Sequence, residues 1–223
     1  MLEEYKDKLW QDNLDSVNLR SDILVNKRVM ELLGNIKGKK ILDDGCGNGK
    51  VSRMLTKNGV HVYGVDKTPE QIDTAKKVSS NILYFVGDMA KLDEIDLPKD
   101  FDIVISLMAF LYLDPEQFIQ ALVQIRGHLK KEGRFVYANI HPSRYPGKLK
   151  VEDEFPTTNN KIFKTAFYNH SLFFIKDAFV KNGFIIKNIL EPLPTKSEIE
   201  KYPILFSQNT ENPQYLIIEA TLI

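Results

Sequence analysis

The run Asp43-Asp44-Gly45-Cys46-Gly47-Asn48-Gly49 sets glycine at alternate positions directly behind a pair of carboxylates. Without a Cβ, each glycine permits a sharp turn and lets a ligand lie against the backbone. Val51, Met54 and Leu55 continue the run at helical spacing, and the first turn of that helix is expected to offer N–H groups and a positive dipole end. Asp66 follows the run VHVYGV, where a carboxylate can accept hydrogen bonds from both hydroxyls of a ribose. Asp88, followed by Met89, stands just past ILYFV, a place suited to the exocyclic amine and flank of an adenine. Two common nucleotide loops are excluded by spacing. Gly-x-Gly-x-x-Gly read from Gly45 or Gly47 puts Lys50 or Ser52 where the third glycine belongs, and Gly49-Lys50-Val51 lacks the hydroxyl that a phosphate loop uses to hold magnesium. Carboxylates at the head of the loop repel a pyrophosphate and suit a cationic ligand.

Elements that would position these residues can be read along the chain. KKILD (39–43), VHVYGV (60–65), ILYFV (82–86), FDIVIS (101–106) and RFVYANI (134–140) are apolar enough to be covered on both faces, as parallel strands are. Helical patterns between them give the strand-helix-strand alternation of an α/β fold with a parallel sheet. Thr68-Pro69-Glu70-Gln71 and Asp114-Pro115-Glu116-Gln117 each supply a capping residue, a proline at the first helical position and a glutamine at the third. Residues 1–38 are read as cap helices, with Val25, Val29, Leu32 and Leu33 on one face and Gly34 as the stop. Residues 39–140 form the ligand-binding core of a single domain. Residues 141–170, rich in charge, Pro and Asn, are expected to be an irregular insertion or lid. Residues 171–223 supply a helix opened by Ser171 and two strands, FIIKNIL and PQYLIIEATLI, joined without a helix and expected to be antiparallel.

Composition narrows the partners. Thirty basic residues balance thirty acidic ones in 223, so no overall positive field draws in nucleic acid or an anionic membrane, and a small partner is the simplest expectation. The single cysteine, Cys46, cannot close an intramolecular disulfide, and MLEEYKDKLW has no secretory pattern. No apolar stretch approaches the roughly 20 residues a membrane helix needs. The expectation is a cytoplasmic monomer or homodimer without a metal.

The ordered set ILDDGCGNG, YGVDKTPEQI, GDM, FDIVIS and LKKEGRFVYANIHP resembles the class I S-adenosylmethionine-dependent methyltransferases over nearly the whole chain. The tail, with His141-Pro142, Tyr168-Asn169-His170-Ser171-Leu172, Asn182-Gly183-Phe184 and Glu191-Pro192, looks like a bacterial subgroup acting on small molecules. The resemblance implies a three-layer Rossmann-like sandwich whose seven-stranded, mostly parallel sheet has its last strand antiparallel, inserted between strands five and six. It also implies S-adenosylmethionine as cofactor. Asp43, Gly45, Cys46, Gly47 and Gly49 would line its methionine portion, Asp66 with neighbouring Lys67 the ribose, and Asp88 with Met89 the adenine, while Ser106 marks the contact at strand four. Asp44 departs from the family, which usually has an apolar residue there, and Leu107 replaces a residue that is often polar.

Each candidate has a plain structural alternative. Asp66 and Asp88 alone would read as solvated loop carboxylates, and their company with the glycine loop favours binding. Cys46 reads as a small residue suited to the turn. His141 is placed either to take a proton from an attacking N–H or O–H group or to pack at a strand end. Tyr112 faces the pocket or the core, His170 serves the site or caps the helix at Ser171, and Tyr5 and Trp10 close over the cofactor or simply pack. Glu152-Asp153-Glu154 reads as a solvated face. The implied reaction is methyl transfer to an oxygen or nitrogen of a small molecule. Its competitors are a non-catalytic S-adenosylmethionine sensor, a nucleic-acid methyltransferase and a nucleotide-dependent oxidoreductase. Ser106-Leu107-Met108-Ala109 stands where base-modifying enzymes usually carry an Asn/Asp-Pro-Pro-aromatic turn.

Overall fold

The computed structural model describes residues 19–56, 59–156, 162–203, 205–207 and 210–223. Strands β1 (Lys40–Asp44), β2 (His61–Asp66), β3 (Leu83–Val86), β4 (Phe101–Leu107) and β5 (Leu129–Ile140) alternate with helices α2 (Lys50–Thr56), α3 (Pro69–Val78) and α4 (Pro115–His128). The first helix, α1 (Lys27–Leu33), is preceded by a π-helical turn over Asp22–Asn26. After β5 come a ribbon of β6 (Lys150–Pro156) and β7 (Ile162–Tyr168), then α5 (Leu172–Lys181), β8 (Phe184–Leu190), α6 (Lys196–Lys201) and β9 (Tyr215–Leu222).

The main sheet runs β3-β2-β1-β4-β5-β9-β8. Its first five strands are parallel, and β9 pairs antiparallel to both β5 and β8. This is the seven-stranded topology expected, with the final strand inserted beside the fifth. Side chains alternate between two cores because successive strand residues point to opposite faces. Leu42, Val104, Phe135 and Tyr137 pack with Phe118 and Leu122 of α4 and Phe179 of α5 on one face. On the other, Ile41, Ile103, Val136 and Ala138 pack with Val29 of α1, Leu55 of α2 and Ile72 of α3. Both faces are covered, which makes the three layers.

Several expectations change in detail. The 141–170 segment is not irregular: β6 and β7 pair in register as an antiparallel ribbon. Its apolar anchor is small, Val151 opposite Phe167, both buried with Leu111, so the backbone ladder rather than a hydrophobic pattern defines it. The acidic run falls in β6, where Glu152 is exposed; the side chains of Asp153 and Glu154 lie outside the described residues. A helix, α6, does separate β8 from β9, opened by a capping box between Thr195 and Glu198. Tyr5 and Trp10 also lie outside the described residues. No described helix is long and apolar enough to cross a membrane.

Candidate active site

The carboxyl ends of β1, β2 and β3 meet along one edge of the sheet, where open α/β folds bind ligands. From there the glycine loop leaves β1. The Gly45 and Cys46 N–H groups both donate to the Val65 carbonyl, at 2.8 and 2.9 Å, and this clamp folds the loop back across β2. Gly45 has φ +84°, and a Cβ there would stand 2.3 Å from the Ala109 Cβ and 3.0 Å from the Met89 methyl. Glycine is therefore required by both backbone and space. Gly47, at φ +53°, faces open room instead, the nearest atom to a Cβ being the Gln71 amide oxygen at 4.0 Å. A ligand can lie there against bare backbone.

The loop differs from the sequence expectation in one respect. Its N–H groups are not left free: Gly47 donates to Asp66 Oδ2 at 2.8 Å, Gly49 to the Cys46 carbonyl at 3.0 Å and Lys50 to Asn48 Oδ1 at 3.2 Å. A cradle whose donors are satisfied internally suits a ligand held by shape and by acceptors better than it suits a phosphate. Asp66 links loop and helix, accepting from Gly47 with one oxygen and from the Thr68 N–H with the other, at 2.9 Å. Thr68 makes no side-chain cap to α3. Asp88 caps the short turn Met89–Glu94 through Ala90 N–H at 2.9 Å.

Buried acids surround the loop. Asp43 is nearly fully buried and accepts from the Ser52 hydroxyl at 2.5 Å, tying β1 to α2. Burial pushes its carboxyl up to about 6, against the pull of Ser52, with the Asp66 charge adding to the rise. Asp44 is completely buried, and neither carboxyl oxygen has a hydrogen-bond partner among the described residues. It neither pairs locally nor reaches solvent. Burial, then the charges of Asp43, Asp88 and Asp66, pushes it well above the carboxylate range. Cys46 is buried, and the same burial and acidic company push its thiol up, away from thiolate chemistry. Ser106 is buried and donates to the Asp44 carbonyl at 2.7 Å, which joins β4 to β1. Lys67 is exposed beside Asp66.

The three side chains considered for proton transfer lie in different settings. His141, at the end of β5, is buried between two partners: Nδ1 is 2.7 Å from Ser143 Oγ and accepts from the Ser143 N–H at 3.2 Å, and Nε2 is 3.0 Å from Glu191 Oε1. His170 sits in an aromatic cluster, stacked on Phe174 and edge-on to Phe118, with Nε2 donating to the Leu113 carbonyl at 2.9 Å and Nδ1 unpartnered. Burial lowers its affinity for a proton. Ser171, not His170, caps α5. Tyr112 is about half exposed in the turn Phe110–Tyr112 beyond β4. His141, His170 and Tyr112 do not converge on one point through any shared partner.

Sequence reasoning missed several residues that build this edge. Ala109 closes on Gly45 from beside the expected Met89, Tyr84 fills the space beside Gly49, and Lys50 pairs with Asp22 of the π-helical turn at 2.6 Å. None carries a local pattern; each is defined by a partner distant in the chain. Asn169 gathers the loop after β5, donating to the carbonyls of Pro142, Tyr145 and Lys148.

Comparison with known proteins agrees with this geometry. Residues 41–133 match the methyltransferase domain family. A demethylmenaquinone methyltransferase of Thermotoga maritima is 29% identical over 128 residues, 55% of this chain and 54% of that protein. The chain spans about half the length of the curated relatives it matches. Among solved structures, S-adenosylmethionine-dependent methyltransferases of Mesorhizobium loti and Listeria monocytogenes superpose with TM-scores of 0.71 and 0.72 at 22% and 21% identity, covering 87% and 88% of this chain and 96% of each of theirs. Residues 41–133 are thus similar to a methyltransferase domain, and the fold is that of these solved S-adenosylmethionine-dependent methyltransferases.

Proposed function

We propose that this protein binds S-adenosylmethionine and directs its methyl group to an oxygen or nitrogen of a small molecule. The observation that carries the reading is the union of a bare-backbone cradle at Gly47 with Asp43, Asp66 and Asp88 at the ends of three successive strands. An acidic, glycine-lined edge fits a ligand with a sulfonium, an ammonium, a ribose diol and an adenine. Asp66 fixes the cradle while keeping acceptor capacity on both oxygens for the diol, since each oxygen accepts one bond among the described residues. Asp88 and Met89 are suited to the adenine, and the loop from Asp43 to Gly49 to the methionine portion. When bound, the cofactor supplies an electrophilic methyl carbon. The protein's share is to align a nucleophile with it at roughly 3 to 3.5 Å and to keep water out.

For a nucleophile that bears a proton, Ser143 and His141 offer a relay. With Nε2–H donated to Glu191, Nδ1 is the basic nitrogen, and it lies against the Ser143 hydroxyl rather than open space. Ser143 is exposed; it receives the acceptor's proton while passing its own to Nδ1. The β6–β7 ribbon, packed against Leu111, shields this side of the edge. A small-molecule acceptor is supported by the Thermotoga relative, which is named for a menaquinone precursor. The balanced charge of the chain supports it too. We infer a cytosolic site of action and a monomer or homodimer on the same sequence grounds.

Calorimetric titration tests the reading. S-adenosylmethionine and S-adenosylhomocysteine should bind in the micromolar range, NAD should not, and Asp66→Ala should abolish both bindings. No binding of either compound by the unmodified protein would sink the proposal.

A further inference from the structure

Beyond the cofactor loop, the same edge of the sheet carries an unneutralised pair of arginines. Arg20 stands just before the π-helical turn Asp22–Asn26 and donates to the Leu205 carbonyl, its guanidinium 5.4 Å over the Phe206 ring. Arg144 lies in the loop after β5, 5.5 Å over Tyr145. Tyr215, the first residue of β9, is paired in register with Ile140 at the carboxyl end of β5, four residues before Arg144, and packs in one core cluster with Phe206, the ring beneath Arg20. Tyr215 is buried. Burial raises the Tyr215 phenol while the charges of Arg144 and Arg20 pull it down and Asp22 opposes them. The two guanidiniums also repel, Arg144 adding to the burial that lowers Arg20.

Neither arginine has a carboxylate within ion-pair distance among the described residues. Asp22, two residues along the chain from Arg20, is engaged with Lys50 at 2.6 Å and accepts from Asn26 at 2.8 Å. That Asp22–Lys50 pair bolts the Arg20 segment to the first residue of α2, directly behind Gly49. The Arg20 segment is thus fixed beside the glycine loop, not on a remote surface. A π-helical turn interrupts the helix at this point, an irregularity found frequently at functional sites. Two like charges held together with a phenol donor and without a counter-ion are stabilised by an incoming anion, and the guanidinium fork matches a carboxylate.

We propose that Arg20, Arg144 and Tyr215 form a carboxylate site for the methyl acceptor, so that the substrate is an acidic small molecule. The proposal rests on the methyltransferase reading for the acceptor's role, although the anion site itself stands on the arginine geometry. A carboxylate has a second source, the amino-acid tail of the cofactor, and the test separates the two.

Thermal melts would be measured with benzoate and with its neutral counterpart benzyl alcohol, in the presence and absence of S-adenosylhomocysteine. At ten times its dissociation constant benzoate should raise the melting temperature by about 3 °C or more, benzyl alcohol should not, and Arg144→Ala should remove the shift. Arg144 is exposed, so this variant spares the core. Arg144→Lys, which keeps charge without the fork, should retain only part of it. S-adenosylhomocysteine should bind Arg144→Ala as it binds the parent protein. Equal shifts with benzoate and benzyl alcohol, or a benzoate shift unchanged in Arg144→Ala, would overturn the site. Weakened S-adenosylhomocysteine but unchanged 5′-methylthioadenosine, which lacks the amino-acid tail, would assign the arginines to the cofactor and overturn the acceptor role. A benzoate shift in a protein that binds no cofactor would sink the methyltransferase reading while leaving the anion site standing.

Discussion

Asp44 holds two carboxyl oxygens that no described group reaches, on the face of β1 it shares with Leu42. A buried, unsatisfied acid costs stability, and more so when ionised. Its proton affinity is raised in the folded state, first by burial and then by Asp43, Asp88 and Asp66. Such a group leaves stability whole below its unfolded value and drains it as pH rises through the folded one. Asp43 works in the same direction, with its folded value at about 6. Denaturant melts should therefore show the parent protein losing stability from pH 4 upward, and Asp44→Leu should be the more stable protein at pH 7 by about 1 to 3 kcal/mol. The difference should narrow toward pH 4, as Asp44 becomes protonated in both states; a constant difference across that range would refute the buried-acid account. Gly45 makes the opposite case. Gly45→Ala demands a left-handed alanine and a Cβ 2.3 Å from Ala109. It should weaken S-adenosylhomocysteine binding by roughly tenfold or more, in keeping with a loop whose backbone must approach the ligand.

The helix α1 is held at both ends, to the sheet at one and to α6 at the other. At its carboxyl end Arg134 of β5 donates to the Leu33 and Leu32 carbonyls at 3.1 and 2.9 Å while pairing with Glu219 of β9. Near its amino end Lys27 and Arg28 converge on Glu198 of α6, at 2.7 and 2.9 Å. Burial works against the Glu198 charge, yet Lys27, the Thr195 N–H and Arg28 outweigh it and hold the carboxyl at about 2. Stability from this anchor is present above the unfolded value and is lost as pH falls toward 2. Lys27 is about half exposed, which discounts its share. Glu198→Gln should cost about 1 to 2 kcal/mol at pH 7, and the difference from the parent should shrink by pH 3. Urea melts at both pH values check it. This anchor also shows where sequence reading stops. The strands β1 to β5 and helices α2 to α5 announce themselves because both sheet faces are buried and the apolar runs are dense. The helix α6 has six residues and one buried position, Glu198, so a hydrophobic pattern cannot reveal it. The β6–β7 ribbon is equally silent, its buried pair being Val151 and Phe167 alone among described side chains.

Across the whole molecule, the cofactor side of the edge is readable and the acceptor side is not, for one physical reason. Gly45, Gly47, Gly49, Asp66 and Asp88 lie at strand ends within one contiguous stretch, so local chain geometry gives their spacing. Arg20, Arg144 and Tyr215 come from the first described helical turn, the loop after β5 and the last strand, and only the insertion of β9 beside β5 brings them together. The proposed cofactor site therefore depends on three neighbouring strands, β1, β2 and β3, and on a helical segment bolted across them by Asp22 and Lys50. A ligand filling that edge contacts groups that separate on unfolding, so its binding must appear as stability of the entire fold. At a hundred times its dissociation constant S-adenosylhomocysteine should add about 2.7 kcal/mol, or roughly 5 to 10 °C in melting temperature for a chain of this size. Asp66→Ala should lose that shift because its carboxylate fixes Gly47 and, in the proposed site, supplies the diol acceptors. Lys50→Ala should keep most of it, since the loop retains its clamp on Val65, but should lower the unliganded melting temperature by freeing the segment around Arg20. Melting both variants with and without S-adenosylhomocysteine separates the two roles, and an undiminished shift in Asp66→Ala would place the ribose elsewhere.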